Sequence, residues 1–301
     1  MNIDIKKVVL FIGLTFSLCW SMVALFFAFG GNWNTTVSFG ITTIYMFLPM
    51  IVVICVQKFI YKESLKKPLE ISFNLNRWFA VAWLLPPVIA FATLGVSLLF
   101  PGVEYSSEMA GMFERFKSLF TPEQLAQMES QTAALPIHPI WFSLLQGLVA
   151  GVTINAIFGF GEELGWRGLL QRELGLLGFW KSSLTIGVIW GIWHVPIILQ
   201  GHNYPEHPVA GVFMMTIWCI LLAPIFSCVR LKANSVIAAA IFHGSINATA
   251  GLAVMVIKGG NDLLIGVTGL AGFIVLIILN IGLLIYDKFL TNEPIIIDMK
   301  P

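Results

Sequence analysis

The chain has 301 residues, of which 57% are hydrophobic and 11% charged, and its mean hydropathy is +0.87. This is too apolar for a water-soluble domain of this length, so the natural solvent is the bilayer. The net charge of +1 comes from Lys and Arg residues scattered between apolar segments, which gives no basic face for nucleic acid and points to lipid and membrane-associated partners.

In chain order, Lys6 and Lys7 precede an apolar run that reaches about Phe29 without a small-residue cleavage site. It is too long for the apolar part of a signal peptide and reads as a first membrane span. Apolar stretches at roughly 8–30, 36–60, 79–100, 139–173, 181–200, 208–229, 234–257 and 263–287 are each about long enough to cross a bilayer. The expectation is an all-α polytopic protein of about eight spans, forming a single membrane domain over 1–301. The stretch 61–78, where Lys62, Lys66 and Lys67 alternate with Leu65, Leu69 and Phe73, suits an anchor at an anionic lipid surface.

The connection 101–138 is the one sizeable region outside the spans. Within it, Thr121-Pro122-Glu123-Gln124 supplies a capping hydroxyl, a first-turn proline and an early acidic residue, so a short external helix is expected. The fourth apolar stretch is longer than a crossing needs and is charged in its second half, so part of it projects from the membrane or lies inside the protein. Cys19, Cys55, Cys219 and Cys228 all lie in apolar segments with no CxxC pair and read as small packing residues.

Basic residues mark alternate connections: Lys6 and Lys7; Lys58, Lys62, Lys66, Lys67 and Arg77; Arg172 and Lys181; Arg230 and Lys232. The connections 31–35 and 201–207 have none, and 101–138 has five glutamates against Arg115 and Lys117. The positive-inside rule then places both termini in the cytoplasm.

Ionisable groups inside the spans are few: Glu162, Glu163, Arg167, Arg172 and Glu173 in the fourth, His194 in the fifth and His243 in the seventh. Each costs about 2.5–3.5 kcal/mol at mid-membrane, so such groups normally face a protein or water-filled interior. Glu162 precedes Arg172, and His194 and His243 follow Lys181 and Lys232, by intervals that correspond to roughly 15–20 Å of helix. Three helices thus bring polar groups to one level, as a shared site requires. Glu163 and Arg167 lie on one helix face and can neutralise each other, whereas Glu162 is rotated about 100° away and lacks that partner. Apolar surroundings such as Trp166 would favour its use as a general base. His243 and Asn247 point the same way and can donate together to an oxyanion. Pro196 should open the helix around His194, while Trp190 and Trp193 read as ordinary packing.

Glu162-Glu163-x-x-x-Arg167, Trp190-x-x-x-His194 and His243-x-x-x-Asn247, on separate helices in this order, resemble the CPBP family of membrane peptidases. That family includes CAAX prenyl endopeptidases of the Ras-converting type and bacterial proteins associated with bacteriocin processing and immunity. The resemblance covers a core at about 139–250, with Trp190 where phenylalanine is usual. It implies an eight-helix fold around a polar cavity facing the cytoplasm, and an intramembrane endopeptidase acting on a membrane-bound protein or peptide, either a prenylated CAAX C-terminus or a helix or precursor. By that likeness the catalytic pair is Glu162, which activates water, and His194, which assists it. His243 and Asn247 would stabilise the oxyanion, and Glu163 and Arg167 would support the site.

Metal-free chemistry is placed ahead of a zinc-dependent version because no HExxH pair is present and asparagine is an unusual zinc ligand. Gly159-Phe160-Gly161-Glu162 and Tyr286-Asp287 share only fragments of the intramembrane aspartyl-protease motifs, in reversed order. The pairs Gly161/Gly165 and Gly187/Gly191 fit close helix contacts instead. An immunity or peptide-binding protein without catalysis is the main alternative, and a transporter is disfavoured by the lack of paired broken helices.

Overall fold

The computed structural model describes residues 3–33, 35–116 and 121–296. Residues 117–120, including Lys117 of the external connection, lie outside the described residues. Helices α1 (Ile5–Ala28), α2 (Thr36–Val53) and α3 (Arg77–Ser97) come first, α2 running on through a π-helical turn at Ile54–Ile60. Side chains close two of their N-termini, Asp4 accepting from the Lys7 N–H and Asn76 from the Trp78 N–H, which satisfies donors that a helix start leaves free. Two short helices follow, α4 (Ala110–Phe116) and α5 (Pro122–Ala133). The second opens on a reciprocal capping box between Thr121 and Gln124.

The long apolar stretch expected from about 139 to 173 is two helices, α6 (Pro139–Val152) and α7 (Ile154–Glu163), bent by 48° at a break. The break is at Thr153, whose backbone (φ −116°, ψ −103°) leaves the helical region. A π-helical turn, Leu164–Leu170, extends α7 towards α8 (Gln171–Leu174). Then come α9 (Phe179–Trp193), α10 (Val195–Ile198), α11 (Pro208–Ala233), α12 (Val236–Thr249) and α13 (Leu270–Ile285). Two-residue strands β1 (Glu104–Tyr105) and β2 (Ile257–Lys258) pair antiparallel, Glu104 opposite Lys258.

The protein is thus an all-α polytopic membrane protein. Among the described residues six helices are long and apolar enough to cross a membrane, and the bent α6–α7 pair makes up to seven. The expected span at 181–200 does not add an eighth by this measure. Its helix, α9, has 15 residues and stops at Trp193, because Pro196 has no N–H with which to bond the Ile192 carbonyl.

Helix α12 lies at the centre, packed against α7, α6, α3 and α11. Close approach there depends on Gly244, where a Cβ would stand 2.4 Å from the Ala156 nitrogen and 2.5 Å from the Gly151 carbonyl oxygen. Gly161 meets the backbone of α2 at Met46, Gly165 meets Phe11, and Gly187 and Gly191 meet α11 at Ile220 and Thr216, the small-residue contacts expected from their spacing.

The two ends of the bundle differ. At one, Lys7 pairs with Glu63 (2.9 Å) and Glu173 (3.3 Å), Arg172 with Glu63 (2.9 Å) and Arg230 with Glu70 (3.0 Å). This basic end gathers the connections that the sequence marks with Lys and Arg. At the other, β1 pairs with β2, the Tyr204 hydroxyl donates to the Thr268 carbonyl (2.7 Å), and Asp262 accepts from the backbone N–H groups of Glu206 and His207. Among the described residues, the connections at that end carry only Arg115 and Lys258 as basic residues.

Candidate active site

Glu162 and Glu163 end α7 side by side, and both are buried. One turn on, Arg167 reaches back to Glu163 (Nη1 to Oε1, 3.1 Å), the expected i,i+4 pair. Its guanidinium carbon lies 4.6 Å from the Trp190 ring and 4.1 Å from the Phe226 ring, a cation between aromatic faces. Glu163 also accepts from His243, whose Nδ1 lies 2.8 Å from Oε1. A carboxylate on Nδ1 fixes the ring's orientation and leaves Nε2 directed elsewhere. That atom lies 3.8 Å from Glu162 Oε1.

Glu162 is held differently. Its Oε2 accepts from the indole N–H of Trp190 at 2.8 Å and more weakly from that of Trp166 at 3.4 Å. Trp166 is therefore a donor as well as an apolar neighbour. Trp190, read from the sequence as packing, is instead the hub of the site. Its N–H holds Glu162, its carbonyl accepts from His194 Nδ1 (2.8 Å), and its ring centroid lies 5.6 Å from that of His194 and 5.7 Å from that of His243.

The opened helix explains the position of His194. Its own N–H bonds the Gly191 carbonyl, and the N–H groups of Ile197 and Ile198 both turn to the His194 carbonyl. The Trp193 carbonyl is taken up by neighbouring helices, through the Tyr45 hydroxyl (2.5 Å) and the Trp20 indole (3.3 Å). Tyr45 and Trp20 carry no sequence motif, so these supports were not legible in advance.

Glu162, His194, His243 and Asn247 all line one cavity of about 450 Å³, with the Asn247 side chain exposed to it. The cavity thus brings together Glu162, His194 and His243, which the spacing from the basic residues sets at one level, and Asn247, one turn on from His243. Glu163 and Arg167 lie behind them, in contact with His243 and Trp190 and away from the cavity. Asp287 is at the basic end, accepting from the N–H groups of Ile295 and Ile296, so it has no part in the site.

Residues 133–249 match the family model described as Type II CAAX prenyl endopeptidase, Rce1-like. The matched stretch takes in all three motifs, from Glu162 to Asn247. A protein of Methanococcus maripaludis named CAAX prenyl protease 2 is similar to it, 32% identical over 97 residues. That alignment covers 29% of this chain and 34% of the relative, so the chain matches about a third of that protein's length. The resemblance to the CPBP family therefore rests on a continuous stretch of sequence as well as on three spaced motifs.

The cavity has a closed and an open side. Towards the basic end, Trp166, Arg167, Leu170 and Phe226 are fully buried, and the Arg230 Nε–H bonds the Arg167 carbonyl (3.1 Å). At the opposite end the lining continues through Ala250, Gly251 and Val254 to His202, Asn203, Asp262 and Thr268 in the connections. His202 is half-buried beside Trp33, and desolvation pushes its pKa down to about 4, so it adds no charge at neutral pH. The mouth is stapled by His207 Nδ1 against Asp262 (2.6 Å). The described ends of the chain, near Ile3 and Ile296, lie at the basic end, and the mouth lies at the other.

Proposed function

We propose that the protein is an intramembrane endopeptidase in which Glu162 activates water for attack on a peptide bond of a membrane-associated substrate. The observation that carries this reading is the asymmetry of the Glu162 carboxylate: Oε2 is fixed by two indole donors, while Oε1 stands beside His243 on the cavity that also holds His194 and Asn247. A base with one oxygen anchored and the other available to water is the geometry that general-base catalysis requires.

In the proposed reaction Oε1 takes a proton from water and the hydroxide adds to the carbonyl carbon. With Nδ1 tied to Glu163, His243 meets the oxyanion through Nε2, which donates when it carries a proton, beside the Asn247 amide. His194 keeps its Nδ1–H on the Trp190 carbonyl, which leaves Nε2 to relay the proton to the leaving amine. Water's hydroxyl ends on the acyl carbon and its proton on nitrogen. The likeness to CAAX prenyl protease 2 supports hydrolysis as the reaction class.

Cleavage of a farnesylated peptide and of its unprenylated counterpart by the detergent-purified protein tests this. Glu162→Gln should lower turnover by about 10²–10⁴-fold while the thermal midpoint stays near that of the parent. Equal cleavage by both forms would remove the mechanism. We place the metal-free version first. Among the described residues the one group of ligand atoms close enough together to hold an ion is Glu206, His207 and Asp262, where Asp262 is already engaged by His207 and two backbone N–H groups. Activity should survive exhaustive chelation; loss reversed by zinc alone would establish the metal-dependent version.

A further inference from the structure

We propose that Arg230 and Glu70 are positioning residues for the reaction: acting through the main chain of Arg167, they set the Glu163 carboxylate that holds His243. Their effect on turnover rests on the peptidase reading above; the chain of contacts does not.

Arg230 belongs to the last turn of α11 and is 5% exposed. A guanidinium so placed is costly unless its donors are matched. Nη1 stands 3.0 Å from Glu70 Oε2, and the Nε–H donates to the Arg167 carbonyl at 3.1 Å. The planar fork of arginine fixes the angle between these two directions, so the Glu70 carboxylate aims the Nε–H at the carbonyl. That carbonyl lies in the π-helical turn Leu164–Leu170, and the guanidinium of the same residue neutralises Glu163 at 3.1 Å. Glu163 Oε1 in turn receives His243 Nδ1 at 2.8 Å, and His243 Nε2 reaches Glu162 Oε1. From the basic end to the cavity the order is Glu70, Arg230, Arg167, Glu163, His243 and Glu162, each within 3.8 Å of the next.

Pi-helical turns are rare and gather at functional sites. This one is tied to α11 twice, by Arg230 and by the Gln171 amide, which donates to the Ser227 carbonyl (3.4 Å). Beside Glu70, fully buried Leu69 packs under the turn, its Cβ 3.6 Å from where a Cβ on Gly168 would stand. The Glu70 carbonyl also accepts from the Val236 N–H (3.0 Å), at the start of the helix that carries His243. The connection 61–78 therefore braces both partners of the Glu163–His243 bond. Neither Arg230 nor Glu70 lines the cavity, so they act on the reaction only through the groups they hold.

Arg230→Lys keeps a cation opposite Glu70 but has no Nε–H for the carbonyl, and Glu70→Gln keeps the side-chain shape without its charge. With the farnesylated peptide as probe, Arg230→Lys should lower kcat about 10-fold at unchanged KM, and Glu70→Gln by less. Combined with Glu163→Gln, Arg230→Lys should cost no more than Glu163→Gln alone, since both changes act on one chain of contacts. Additive losses, or a lowered thermal midpoint with kcat retained, would overturn the role. Nitrogen NMR of histidine-labelled full chain in detergent needs no turnover. The His243 Nδ1 resonance should move in both single variants while that of His202, at the mouth, stays; an unmoved His243 resonance would overturn the proposal. Equal cleavage by the parent and Glu162→Gln would instead remove the peptidase reading and leave the resonance test standing.

Discussion

At the scale of single residues, the site depends on donors that the sequence presents as bulk. Trp190 spends its indole N–H on Glu162 and its carbonyl on His194, so one residue sets both the carboxylate and the imidazole. Trp190→Phe keeps most of the ring and removes the donor. A hydrogen bond to a charged group is worth about 1.5–3 kcal/mol, so kcat should fall by about 10- to 150-fold with KM and thermal midpoint little changed. Steady-state kinetics on the purified variant would show this, and an unchanged kcat would return Trp190 to a packing role. Glu162, His194, His243 and Asn247 were legible because charge and amide groups are costly in a membrane and therefore conspicuous. Tryptophan is not costly there, which is why the sequence does not disclose that Trp190 and Trp166 are polar contacts.

At the scale of elements, backbone irregularity does the positioning. The opening at Pro196 frees a helix to change direction beside His194 and Ile197, which line the cavity, and the break at Thr153 turns α6 into α7, the helix that carries Glu162. The opening was legible, since proline removes a donor at a fixed place; the break was not, since threonine in an apolar run gives no such notice. Gly244 crosses the break at a distance no side chain tolerates. Gly244→Ala should cost about 1–3 kcal/mol through overpacking and push α12 away from α7, so thermal stability and turnover should fall together. A variant with unchanged melting would show that the crossing can yield.

At the scale of the whole molecule, the basic end is held by a network in which Glu63 joins α1 and α8 through Lys7 and Arg172. Desolvation acts to raise the Glu63 carboxyl, but the hydrogen bonds and charges of Lys7 and Arg172 outweigh it and hold the pKa below the ordinary 4.5. A depressed carboxyl stabilises the fold above its unfolded pKa and loses that contribution as pH falls through its folded value. Protection factors for hydrogen exchange of residues 60–77, referred to the intrinsic rate at each pH, should therefore fall as pH drops below about 4.5, and Lys7→Ala should flatten that dependence. Identical pH profiles in both forms would remove the network from the account. The sequence made the polarity of the two ends legible through Lys and Arg. It could not show at which end the cavity opens, because that is decided by which large side chains fill the space between helices.

A bilayer enzyme that admits water faces a hazard that a soluble one does not, since a path wetted from both sides would leak protons and discharge the gradient its host lives on. Here the wetted path is a blind well. Behind the Trp190 and Phe226 side chains that line it sits the Arg167 guanidinium, whose positive charge would oppose passage of a proton or metal cation beyond Glu162. The residue that steadies Glu163 would thus also serve as an insulator, so that the proposed hydrolysis could proceed within a membrane that stays electrically sealed.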